Sequence, residues 1–141
     1  MGQIQFDLLE RDGHYISVPK GISMRPMIVG RRDAVLIEKL KTKPKRYDLV
    51  IYVRGKELGV IHRVIHVKGD DYIICGDNCW RLEYVKLEQI KGIVTEYCRK
   101  GKWHKVDNLP YKIYVHLWVD LLFLKRPLFY VRDKIKRKLK K

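Results

Sequence analysis

The hydrophobic pattern divides the chain into two stretches of different period. From His14 to Tyr97 the apolar residues come in short β-rich runs, each closed by Gly, Pro, Asn or Asp. Residues 14–18 alternate and are stopped by Pro19-Lys20-Gly21. Residues 34–37, 48–53, 58–67, 72–75 and 90–97 follow as further strands. Turns are expected at Arg54-Gly55, Lys68-Gly69-Asp70-Asp71 and Gly76-Asp77-Asn78, and a basic loop containing Pro44 at residues 39–46. Short strands joined by Gly-rich turns predict a mainly β fold, a small antiparallel barrel or curved sheet. Residues 3–11 read as a short lead-in helix.

Toward the C-terminus the period changes. Leu128, Val131, Ile135 and Leu139 are spaced by three, four and four, a helical stripe. Lys112, His116 and Asp120 form a narrow polar stripe on an otherwise apolar segment before it. Pro127 is expected to separate two helical pieces, because the residue before a proline disfavours the helical conformation. The organisation predicted is a β domain over residues 1–108 and a helical, basic extension over 109–141.

Composition changes this picture mainly through charge. The 141 residues are 46% apolar, enough for one cored domain, and carry a net charge of +15. Nine basic residues and one acid fall within 125–141, so more than half of the excess lies in the tail. Such a field attracts anionic partners: nucleic acid, acidic lipid or an acidic peptide. A basic tail with an apolar stripe fits peripheral binding to an anionic membrane, with Trp118 and Phe123 able to deepen it. The plain alternative is that the stripe packs on the barrel. Cys75, Cys79 and Cys98 make an odd count without a paired framework, which points to a reducing compartment and leaves a Cys75–Cys79 disulfide open. The first fifteen residues lack the pattern of a secretory signal, and Phe6 stands where a myristoylation motif after Gly2 wants Ser or Thr. No run reaches the ~20 apolar residues of a membrane span.

Three places could carry chemistry. Ser23 lies in Gly21-Ile22-Ser23-Met24-Arg25-Pro26, where a turn after a strand can present a hydroxyl and Gly21 permits a tight path. Turn serines more often hydrogen-bond locally, so a nucleophile here requires a base. His62 shares a strand face with Val60, Val64 and His66. His66 is ~13 Å further along and cannot join the same small site unless the strand is bulged. Asp77, in Cys75-Gly76-Asp77-Asn78-Cys79, sits where a carboxylate can orient a histidine. The cysteine spacing is not a zinc signature, and no metal or other cofactor is expected.

In this order the three boxes resemble the type I signal peptidases and the related self-cleaving repressors. Ser23-Met24-Arg25-Pro26 matches the nucleophile box, His62-Arg63-Val64-Ile65 the base followed by Arg-Val, and Gly76-Asp77-Asn78 the last box. Tyr47-Asp48-Leu49-Val50-Ile51-Tyr52 resembles the strand leading to the base. The resemblance covers residues 17–94. It implies a barrel-like peptidase fold with C-terminal helices and a serine endopeptidase that removes a leader or signal-like segment from a precursor bound as an extended strand. Histidine in the base position resembles the endoplasmic-reticulum and archaeal branch, giving Ser23, His62 and Asp77 as the catalytic set. Gly21 stands where many members have a second serine, so the oxyanion hole would be backbone, from Gly21 and Ser23, with Ile22, Met24 and Pro26 contacting substrate. After Asn78 the second aspartate common in the family is absent, with only Glu83 nearby. The family's N-terminal membrane anchor is not seen, which points to the cytoplasm, with peripheral attachment at the inner face. The rivals are a repressor-type module binding nucleic acid, which lacks a preceding helix-turn-helix pattern, and an inactive peptidase-like interaction protein, which would need none of the three boxes.

Overall fold

The unbroken apolar run Leu49-Val50-Ile51-Tyr52 is too long for a strand with one wet face, and all four of these residues are buried. This strand is the centre of the molecule. The computed structural model describes residues 3–140, the side chains of residues 4, 57 and 58 excepted; Gly2 and Lys141 lie outside that range. In chain order the elements are α1 (Gln3–Asp12), β1 (His14–Ser17), β2 (Ala34–Glu38), β3 (Leu49–Arg54), β4 (Glu57–Lys68), β5 (Asp71–Cys75), β6 (Glu83–Lys86), a 3-10 turn (Leu87–Gln89), β7 (Ile90–Arg99), β8 (Lys102–Lys105), α2 (Leu109–Asp120) and α3 (Leu122–Leu139).

The sheet is antiparallel throughout, in the order β1-β2-β7-β3-β4-β5-β6, with β8 added to β7. It curls into a half-barrel. One side of β3 packs with α1 and α2: Phe6, Leu9, Ile37, Leu49, Ile51, Val94, Val115 and Val119 belong to that cluster. The other side contributes Val50 and Tyr52 to a second cluster with Val64, Tyr72, Ile74 and Val85. The extension beginning at Leu109 is therefore fastened to the core of the β domain. Asn108 starts it, its side chain accepting the Tyr111 N–H at 2.8 Å, with Pro110 in the first turn where no N–H is needed.

Two features positioned by β4 matter for the site. The strand pairs with β3 over residues 57–63 but with β5 only from Arg63 onward. Among the described residues, the far edge of residues 59–62 is thus free of a ladder partner. The register with β5 then slips between Val64 and His66. This bulge turns His66 outward to solvent, while His62 stays buried at 5% exposure.

Strands β6 and β8 lie outside the expected set. Each carries little apolar signal, since Val85 is the one buried residue of β6 and no residue of β8 is buried. The helical break also differs from expectation. It falls at Leu121 (φ −97°, ψ 18°), and Pro127 lies inside α3. So close to the helix start, the proline forfeits a single backbone bond, which a docked helix tolerates.

Candidate active site

Ser23 and His62 meet across a glycine. The Ser23 turn is closed by Arg25 N–H to the Ile22 carbonyl (3.2 Å). Its own carbonyl accepts the Asn78 N–H at 2.8 Å, and the Asn78 amide donates to the Ile22 carbonyl at 3.0 Å. A Cβ placed on Gly76 would lie 2.7 Å from the Ser23 carbonyl oxygen, 2.8 Å from Cys79 Sγ and 3.0 Å from His62 Nε2. Any side chain there would collide. Gly76 thus brings the Ser23 backbone and the Nε2 edge of His62 together. Among the described residues no hydrogen bond to Ser23 Oγ is seen, and the Ser23 carbonyl and His62 Nε2 both border Gly76.

The other nitrogen of His62 fixes its protonation. Nδ1 is 3.1 Å from the Tyr52 hydroxyl and 3.7 Å from Glu83 Oε1. Tyr52 donates to Glu83 Oε2 at 2.7 Å, and Arg54 pairs with Glu83 Oε1. Burial first, then the Glu83 hydrogen bond, raise the Tyr52 phenol well above its usual value, so it stays protonated. A hydroxyl has one proton, and this one goes to Glu83. Toward His62 the oxygen can only accept, which places a proton on Nδ1.

Asp77 does not take the expected part. Its oxygens accept from Arg63 Nε (2.9 Å), Arg63 Nη2 (3.0 Å) and Tyr114 Oη (2.7 Å). The carboxylate orienting His62 is Glu83, acting through Tyr52, and the assignment of Asp77 is corrected accordingly. The cause is Arg63, fully buried and needing a counter-ion. Its remaining donors go to the Tyr47 carbonyl (3.0 Å), Tyr111 Oη (2.8 Å) and Met27 Sδ (2.9 Å). Asp77 is a structural ion: its carbonyl also accepts Trp118 Nε1 at 2.6 Å and Lys125 Nζ at 3.3 Å, tying the 76–80 loop to both C-terminal helices.

A groove of about 1010 Å³ runs past Ser23 and His62. Residues 17–21 wall one side, and residues 59–62, including the free edge of β4, wall another. The 78–81 loop and Asp133, Lys136 and Arg137 of α3 complete it. Gly21 lines it in the left-handed region (φ 89°), and a Cβ on Gly30 would meet the Gly21 carbonyl at 2.2 Å, so the two glycines fix this wall by close approach. Of the three residues expected to touch substrate, Met24 lines the groove. Ile22, 57% exposed, and Pro26 do not.

Cys79 lines the groove beside Gly76 and is free, as are Cys75 and Cys98. Burial raises the Cys79 thiol and pushes Cys75 up to about 12, so neither is poised as a thiolate near neutrality. Among the described residues no cluster of three metal-ligating side chains occurs. No helix among them is long and apolar enough to cross a membrane.

Tyr52 and Glu83 are the site residues that sequence reasoning missed. A hairpin turning at Gly55 pairs Val50 with His62 and Tyr52 with Val60, putting Tyr52 diagonal to His62 on the same face. That register was the available signal. Compared with known proteins, the chain matches no family model and no curated protein.

Proposed function

We propose that the chain is a serine endopeptidase that removes a leader or signal-like segment from a peptide or protein precursor. The observation that carries this reading is the arrangement at Gly76: the Ser23 carbonyl and His62 Nε2 both border it, and His62 Nδ1 faces the Tyr52 hydroxyl that donates to Glu83. In the reaction, Ser23 Oγ attacks the peptide carbonyl while His62 Nε2 removes its proton. The imidazolium so formed lies 3.7 Å from Glu83, whose charge stabilises it. His62 then returns the proton to the leaving amine, and water hydrolyses the acyl-enzyme by the same route. The N–H groups of Ser23 and Gly21 are the proposed oxyanion donors. The precursor is read as an added strand along the free edge of β4, where backbone pairing gives affinity with little sequence demand.

The three boxes that resemble type I signal peptidases support the same reading, with Glu83 and Tyr52 taking the part first expected of Asp77. The free thiols suit a reducing compartment, and the cytoplasm is the proposed location.

The test is labelling with a fluorophosphonate probe and mapping of the adduct, alongside Ser23→Ala and Cys79→Ala. Modification of Ser23, lost in Ser23→Ala and kept in Cys79→Ala, is the expected result. Cleavage of a precursor peptide that survives Ser23→Ala within tenfold removes Ser23 as nucleophile. Loss with Cys79→Ala alone would move the chemistry to the thiol.

A further inference from the structure

Helices α2 and α3 carry two apolar faces, and the fold uses only one. Tyr111, Val115, Val119 and Leu122 are buried against the half-barrel. A second apolar series runs at three- and four-residue steps from Leu109 to Leu139, with Leu117, Leu121, Leu124, Leu128, Val131 and Ile135 in its middle. Its members are between 43% and 81% exposed. This stripe takes in both helices and is much longer than the four positions legible in the tail. At 100° per residue it lies well away from the face that carries Leu122 and the groove-lining Asp133. Trp118 is not part of it: its indole is bonded to the Asp77 carbonyl and stacked on Tyr114.

Charge says what covers this stripe. Beside it on α3 stand exposed Lys134 and Lys138. The only acid of α3, Asp133, is paired with Arg132. A second copy of this chain laid along the stripe would bring lysines against lysines, since a self-associating helix face needs charges of both signs at its flanks. An apolar strip with lysines along its α3 margin, and with its α2 carboxylate Asp120 already bonded to Arg46 and Tyr47, matches an anionic bilayer, where the leucines enter the acyl boundary and the ammonium groups reach the phosphates. We infer that the outer face of α2 and α3 is a docking surface for anionic lipid, holding the protein flat against a membrane.

This inference stands apart from the peptidase reading, and its test needs no cleavage assay. Full-length protein is cosedimented with vesicles of phosphatidylcholine alone and with 30% phosphatidylserine, at low and high salt. The expected result is binding to the anionic vesicles that salt weakens, with little binding to the neutral ones. Replacing Leu128, Val131 and Ile135 by Asn should cut partitioning at least tenfold. Each of Lys134→Gln and Lys138→Gln should cost roughly fivefold on anionic vesicles only. If the triple variant does not fold, Leu128→Trp gives an independent readout. Its added emission should shift blue and be quenched by brominated chains on anionic vesicles. Equal binding to both vesicle types, no binding, or unchanged Leu128→Trp emission overturns the proposal. So does a lipid-free dimer that the Asn variant dissolves, which would make the stripe a self-interface.

Discussion

Tyr52 has one proton and two partners, and that shortage decides what His62 can do. Its hydroxyl gives the proton to Glu83 and so must receive one from Nδ1. In Tyr52→Phe the Nδ1–H loses its acceptor and either tautomer becomes accessible. Turnover should fall roughly ten- to hundredfold, the equivalent of an unsatisfied buried donor, with KM little changed because the ring stays in place. Measuring kcat and KM separately checks this, and a loss confined to KM would assign Tyr52 to binding instead. The wild-type profile follows from His62 itself. A base must be unprotonated to take the serine proton, so activity should decline toward acid pH. A flat profile there would dispose of His62 as the base. Asp77 makes the opposite kind of prediction. Its removal strands the buried Arg63 charge, so Asp77→Ala should cost about 3–5 kcal/mol of stability, seen as a fall of ~10 °C in the thermal midpoint of a chain this size. A variant of unchanged midpoint and reduced turnover would restore Asp77 to the catalytic set.

At the scale of elements, α3 holds the 76–80 loop as well as walling the groove. Arg132 donates to the Asn78 side chain at 2.7 Å and to its carbonyl at 2.9 Å, and Asn78 in turn grips the carbonyls of Ile22 and Ser23. Arg126 donates to the Trp80 carbonyl at 2.8 Å, and the Trp80 and Tyr130 rings meet edge-on at 4.9 Å. Truncation after Arg126, or Arg132→Ala alone, should therefore lower turnover on a soluble peptide by roughly tenfold or more, the value of charge-assisted bonds to a positioning loop. Full activity in the truncated protein would show that the loop keeps its shape unaided. This coupling was not legible in the chain. The tail's period shows an apolar stripe, but the residues that dock α3 are Arg126, Tyr130 and Arg132, which a hydrophobic pattern passes over. What the sequence does make legible is local: strands bounded by Gly and Pro; Ser23 and His62 were singled out through a resemblance, and both border Gly76. The partner of Asp77 was hidden because Arg63, the residue after the base, is turned inward and fully buried. Alternation had assigned that position to the other face without saying that this face, too, is covered.

The whole molecule carries +15, and the groove shares that sign. Lys20, Arg54, Arg81, Lys136 and Arg137 line it against two acids, Glu83 and Asp133, each already paired with an arginine. A cleft of one sign concentrates ligands of the other, and the gain is screened by salt because these cations are solvent-facing. A precursor segment with Asp or Glu flanking its cleavage site should thus be cut with a higher kcat/KM than its Asn/Gln isostere. The advantage should shrink severalfold between about 50 and 500 mM salt, as the Debye length drops from over 10 Å to a few ångströms. The change should appear mainly in KM, since the distant charges act on encounter and not on the proton transfer at His62. Lys136→Glu with Arg137→Glu separates the local wall from the global field. If the wall recognises the acids, reversing these two charges removes most of the preference, although the protein stays strongly cationic. If the preference follows total charge, the double variant keeps most of it. Identical salt slopes for the acidic and neutral peptides would show that the groove reads neither.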